Sequence, residues 1–218
     1  VTNPTPDEIK RRIYDTFPTQ NRAVTQADYE NMIYRMPAKF GSIKRCSAQR
    51  DPDSRRRNIN IYAISEDNFG NLTATNSTIK NNLKTWMNNY RMLSDTIDVL
   101  DAFIIKYGIE LAAKHSIGAD RFTLVDTCIN TLAARYSREK MFIGEPIDVA
   151  DIYTTLSNIE GVLNVSSVKI TNKNGANYSS VQFDINENTA PDGSSIIIPK
   201  NAVAELKYPS VDITGKIK

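Results

Sequence analysis

The chain has one histidine, His115, two cysteines, Cys46 and Cys128, and carboxylates close in sequence at Asp98 and Asp101 and again at Asp148 and Asp151. These residue types do chemistry when suitably spaced: an imidazole as base or metal ligand, a thiol as nucleophile, paired carboxylates as acid and base. The spacings here point elsewhere. One histidine excludes an imidazole cluster around a metal, and a triad would depend on His115 alone. It follows Lys114 at the end of an apolar alternation, where an exposed or edge position is expected. Asp98 and Asp101 lie three apart in a strand pattern and are expected on opposite faces. Asp148 and Asp151 open a helical pattern, where carboxylates satisfy free amides and the helix dipole. Without a C-x-x-C motif the two cysteines read as reduced, buried thiols. The nine glycines form neither G-x-x-x-x-G-K-[ST] nor G-x-G-x-x-G, so no phosphate loop is present. The expectation is a chain that is not an enzyme and has no cofactor, metal or small-molecule substrate.

Two other groups carry binding chemistry. Lys44, Arg45, Arg50, Arg55, Arg56 and Arg57 flank one turn, where they suit phosphates, a solvated hairpin tip or an acidic protein partner. Asp51 and Asp53 lie inside that turn, and no glycine-aromatic strand is present to stack bases. Trp86 and Tyr90 share a helical face, as core residues or as a helix–helix contact between subunits. The candidate protein-interface residues are therefore Arg50, Arg55, Arg56, Arg57, Trp86 and Tyr90.

The elements that position these residues follow from periodicity. A short amphipathic helix is expected over Asp7 to Phe17, with Ile9 and Ile13 on one face, then a linker. Thr25 and Asp28 make a capping box for a helix burying Tyr29, Met32, Ile33 and Met36, which Pro37 stops before Gly41 turns the chain. Ser42 to Gln49 and Asn58 to Ser65 read as a hairpin around Asp51-Pro52-Asp53-Ser54. Ser77 to Leu93 is a helix with Ile79, Leu83, Trp86, Met87, Tyr90 and Leu93 in one stripe. Ile97 to Leu111 alternates as one long strand, bent near Gly108. Helices follow at Asp120 to Tyr136, with Phe122, Val125, Ile129, Leu132 and Tyr136 inward, and after the cap Asp148, with Val149, Ile152, Leu156 and Ile159 inward and Gly161 as its stop. Val165 to Thr171 and Tyr178 to Ile185 read as a hairpin around Asn174-Gly175. Ile196 to Ile198 and Val211 to Ile217 read as short edge strands.

The class is α+β, with helices on small, mainly antiparallel sheets in two consecutive sub-domains. Residues 1–20 are the N-terminal helix and linker, 21–96 a helix–hairpin–helix sub-domain, and 97–218 a strand–helix–helix–hairpin–strand sub-domain. Composition suits a soluble globular protein: 40% hydrophobic, 24% charged, 27 Lys+Arg against 25 Asp+Glu for a net +2. So small a net charge exerts no global pull toward nucleic acid or an anionic membrane. The sequons at Asn71, Asn76, Asn164 and Asn177 read as chance in an Asn-rich chain. A start at Val1 with no visible signal peptide suggests a fragment of a longer polypeptide.

Five short segments in order carry a resemblance. They are Arg22-Ala23-Val24-Thr25 with Asp28-Tyr29; the helix with Trp86, Tyr90 and Arg91; Val99-Leu100-Asp101-Ala102; Gly144 with Ile147, Ile152 and Tyr153; and Gly161-Val162 with Val165. With the Met36-Pro37-Ala38-Lys39-Phe40-Gly41 corner, this order resembles the baseplate J-like family, the wedge subunits of contractile-tailed phages, and T-even-like members above all. It extends over residues 21–218. The resemblance implies the C-terminal part of a virion structural subunit, made and assembled in the host cytoplasm and located in the tail baseplate. It also implies a homodimer or higher homo-oligomer that contacts other wedge proteins and joins wedges into a ring around the tail hub. The alternative is an α+β nucleic-acid-binding module using the Lys44–Arg57 basic hairpin.

Overall fold

The computed structural model describes residues 6, 9–10, 13–14, 21–54, 57–67, 69–117, 120–136, 141–175 and 178–217. The helix expected over Asp7 to Phe17 lies mostly outside them; Ile9, Lys10, Ile13 and Tyr14 are helical and exposed. The chain divides into two compact units, Val1–Ala102 and Phe103–Lys218.

In the first unit the capping box forms as the sequence requires. The Thr25 hydroxyl accepts the Asp28 amide at 3.2 Å, and the Asp28 carboxylate accepts the Thr25 amide at 2.9 Å. Helix α1 (Gln26–Tyr34) buries Tyr29, Met32 and Ile33. After Pro37 the chain turns at Gly41, whose φ of 115° suits glycine and where a Cβ would lie 2.7 Å from Ile79 Cγ1. Strand β1 (Arg45–Arg50) pairs antiparallel with β2 (Arg57–Glu66), the expected hairpin. Strand β3 (Leu72–Ala74) continues antiparallel on β2, helix α2 (Ser77–Met87) follows, and β4 (Asp95–Asp101) returns parallel to β2. With α1 on β1 and α2 on β4, the core closes around Tyr29, Met32, Ile61, Leu83, Met87 and Ile97. Burying one such aliphatic side chain contributes about 1.5–3 kcal/mol.

Strand β1 is an edge, yet its outer donors are covered. The Cys46 amide donates to Tyr34 Oη at 3.1 Å and the Ala48 amide to Glu30 Oε1 at 3.0 Å. Side chains of α1 thereby block the pairing that a bare edge invites.

Two expectations fail in this unit. Helix α2 stops at Met87, because the amides of Asn89 and Tyr90 bond three residues back and tighten the final turn. Leu93 is consequently exposed outside the stripe it was assigned to. The strand expected from Ile97 to Leu111 is two strands in two sheets, so the unit boundary follows β4 where a boundary before Ile97 was expected. The apolar alternation of the sequence runs through the junction at Val99, Phe103, Ile105 and Tyr107, although positions 105–109 of β5 are all buried. Asp101, its one polar interruption, marks the break: its carboxylate accepts the Thr75 amide at 3.1 Å and pairs with Lys80 at 2.6 Å.

In the second unit β5 (Phe103–His115) is the spine. Strand β7 (Val162–Asn172) pairs antiparallel with it, while β9 (Ala202–Glu205) and β10 (Ile213–Ile217) pair parallel. Helix α3 (Arg121–Arg135) packs on β10 and α4 (Val149–Ser157) on β7. The two-residue strands β6 (Ile147–Asp148) and β8 (Ser195–Ile196) form a ribbon, and a short helix α5 (Pro209–Asp212) leads into β10. The class is α+β as expected. The sheets are mixed: the α2 crossover returns the chain before β4, and β7 runs back along β5, so that β9 and then β10 pair parallel with its earlier and later residues.

Several local readings shift here. β5 continues through Gly108 without a register shift, and its shifts fall at Ala112/Ala113 and Lys114/His115. Gly108 instead admits close approach: a Cβ there would lie 2.8 Å from the Asp212 carbonyl oxygen. Phe103, expected inside, is 54% exposed at the start of the strand. Helix α3 buries Leu124, Cys128 and Leu132 and leaves Phe122 exposed. Two stripes share Leu132, and the sheet takes the one through Cys128. The hairpin expected after β7 does not form, since β5 takes the ladder of β7 and the 178–185 segment makes only the Asn174↔Ser179 bridge. Ile152 and Leu156 are buried on α4, Gly161 has φ 94°, and both cysteines are outside any disulfide and buried, all as expected.

Candidate functional site

The basic cluster is dispersed. Lys44 and Arg45 are buried, at 8% and 2% exposure. Lys44 lies 3.7 Å from Glu66, and Arg45 Nη1 donates to the Lys44 carbonyl at 3.1 Å. Arg50 and Arg57 are exposed, and Arg55 and Arg56 lie outside the described residues. A continuous phosphate-facing patch from Lys44 to Arg57 is therefore not formed, because the first two members point into the protein.

Arg57 leads to a residue that periodicity does not single out. Its Nε lies 3.5 Å from Asp95 Oδ1. Asp95 is 4% exposed and accepts from Tyr29 Oη at 2.8 Å and Ser94 Oγ at 3.2 Å. The Arg91 guanidinium donates to its carbonyl. Burial, and then the bond to Asp95, push the Tyr29 phenol up to about 12. Trp86 and Tyr90 sit half-buried against the core, their rings 4.9 Å apart. The Trp86 indole donates to the Met32 carbonyl at 2.9 Å, which ties α2 to α1.

Asp98 and Asp101, expected on opposite faces, are both reached from α2. Lys84 lies 3.2 Å from Asp98 and Lys80 pairs with Asp101, because Asp101 ends the strand and escapes its alternation. Hydrogen bonds from Asn58 and then Lys84 hold the Asp98 carboxyl below its usual range. His115 is half-buried with Nδ1 2.9 Å from the Ser116 carbonyl.

The second unit contains a cavity of about 340 Å³ where the end of α3, the start of α4 and the 141–146 segment meet β5 and β9. Asp148 caps α4, accepting the Asp151 amide at 3.0 Å as expected. Arg135 donates from Nε at 3.1 Å and Nη2 at 2.9 Å to the two oxygens of Asp151, a bidentate fork. The Tyr136 hydroxyl donates to the same carboxylate at 2.8 Å. The Arg135 fork, with Tyr136 adding to it, holds Asp151 below the usual carboxylate range. Glu145 Oε2 accepts the Phe142 amide at 3.0 Å.

Tyr107 forms part of the wall and is 2% exposed. Its hydroxyl has no hydrogen-bond partner among the described residues. Burial, and then the nearby Glu145 carboxylate, push its phenol above the ordinary range. Periodicity places Tyr107 and Tyr136 in the core and does not mark Arg135 or Glu145 at all. No local signal reveals the fork, since its members come from separate helices.

Among the described residues no group of three or more His, Cys, Asp or Glu is placed to hold a metal ion. None of their helices is long and apolar enough to cross a membrane. No protein-family model and no curated protein matches the chain. Among solved structures it is similar to a chain in the cryo-electron microscopy structure of the anti-feeding prophage baseplate, 6-fold symmetrised, at 12% identity and a TM-score of 0.55. The alignment covers 93% of this chain and 41% of that one. The likeness is one of fold.

Proposed function

We propose that this chain is a structural subunit of a contractile-tail baseplate. In this reading it is the C-terminal part of a wedge protein that self-associates, contacts other wedge proteins and joins wedges into the ring around the tail hub. It holds that ring while the baseplate rearranges and the sheath contracts. Its place is the tail of the virion, after assembly in the host cytoplasm, and its work needs no catalysis, cofactor or membrane. The observation that carries the reading is the fold likeness to a baseplate chain over 93% of this sequence. The order of short segments, from the Thr25–Asp28 cap to Gly161, adds to it. The rival nucleic-acid reading relied on a basic patch of which Lys44 and Arg45 are buried.

Light scattering on size-exclusion fractions, over a concentration series and with baseplate partners co-purified, tests the proposal. A mass above the monomer, alone or with partners, is expected. A strict monomer under both conditions would remove it. Salt-dependent retention on DNA that Arg55→Ala, Arg56→Ala and Arg57→Ala together abolish would favour the rival.

A further inference from the structure

We infer that the cavity of the second unit is a receptor for a basic side chain, arginine or lysine, presented by a neighbouring protein. The protein source of that side chain rests on the assembly reading above; the chemistry of the pocket does not. Among the described residues three carboxylates line the cavity, Glu145, Asp148 and Asp151, against one guanidinium, Arg135. Arg135 already spends Nε and Nη2 on Asp151, so an incoming anion finds no open fork. A cation finds acceptors. Glu145 commits Oε2 to the Phe142 amide, and its other oxygen has no partner among the described residues. The Tyr107 hydroxyl, on a side chain 2% exposed, offers lone pairs into the same space and bonds to no described residue.

The Tyr107 hydroxyl is not sealed from solvent, so an occupant of the cavity can reach it. Phe142 and Tyr136 add aromatic wall to the cavity. Apolar wall, Ile147 and Ala204 among it, suits the methylene stem of a long basic side chain.

The test is an NMR titration of the full chain with Nα-acetyl-arginine methylamide, its neutral citrulline counterpart and the lysine analogue. Saturable shifts centred on Tyr107, Phe142 and Glu145 are expected with arginine or lysine, and citrulline should bind about tenfold more weakly, the loss of one charge-assisted bond. Glu145→Gln keeps an acceptor for the Phe142 amide and should weaken arginine by a similar factor. Tyr107→Phe should weaken it several-fold while the unfolding midpoint stays level or rises, which a merely structural hydroxyl would not show. No saturable shift, equal binding of citrulline, or unchanged affinity in both variants would overturn the assignment. Arginine binding by a strict monomer would retain the pocket and remove the assembly reading; an oligomer indifferent to arginine would do the reverse.

Discussion

Asp95 in the first unit and Tyr107 in the second are both nearly inaccessible, yet their polar atoms are treated differently. Tyr29, Ser94 and Arg57 reach the Asp95 carboxylate, and Arg91 bonds its carbonyl. The Tyr107 hydroxyl faces a cavity and bonds to no described residue. A surrounded carboxylate joins α1 to β4 in the first unit. A hydroxyl without a partner beside a bidentate Arg135–Asp151 fork leaves the second unit with capacity for an occupant. In the first unit Tyr34 and Glu30 also cover the edge donors of β1. The comparison is between a buried acceptor that the fold itself satisfies and a hydroxyl left open to a cavity.

The largest effect should come from a closed polar contact inside the second unit, which limits how far the contrast extends. Lys106 and Glu205 are register neighbours on β5 and β9, with side chains 7% and 0% exposed, and form an ion pair. Lys106→Met should cost about 3–5 kcal/mol in urea unfolding, because a carboxylate stays buried without its cation. The double variant with Glu205→Leu should recover most of that. A single-variant loss below about 1 kcal/mol, the range of a surface pair, would mean that the site is wet.

Next in size is Tyr29→Phe, expected to cost about 1–3 kcal/mol by leaving Asp95 short of a donor. The Tyr29 phenol is raised from 10.0 to about 12, so the folded state keeps a proton that the unfolded chain releases. That contribution is complete below pH 10.0 and is lost as pH rises through about 12. Wild type should therefore lose stability over this window faster than Tyr29→Phe; parallel curves would show that the bond is not made in solution.

The smallest effect belongs to the cavity fork. Asp151 is held below its usual range by Arg135 and Tyr136, so its contribution is present above the unfolded carboxylate value, about 3.9, and disappears as pH falls through the lowered one. Asp151→Asn should be slightly less stable than wild type at neutral pH, with the gap closing in acid and in high salt, since the Arg135 side chain is 54% exposed. Thermal unfolding at two pH values and two salt concentrations checks this. A gap that widens in acid would contradict the assignment.

Much of the local architecture was legible beforehand. Thr25 and Asp28 sit at capping-box spacing, Ile59, Ile61 and Ala63 alternate, and Asp148 precedes an apolar stripe through Ile152 and Leu156. Each depends on neighbours a few residues away, which periodicity reports well. The junction at Ala102 was illegible because alternation is the same on either side of it. The α3 face was misjudged because two stripes share Leu132. The cavity was invisible for a stronger reason: Tyr107, Arg135, Glu145 and Asp151 come from separate elements.

Residue types and short-range spacing were enough to establish the α+β class, the caps, the first hairpin and two buried thiols. Packing in three dimensions alone settled that Lys44 and Arg45 turn inward, that β4 and β5 belong to different sheets, and that Arg135 meets Asp151. Hydrophobic period says which side of an element is buried. It carries no information on which distant element covers that side, and the pairing of buried charges depends on that.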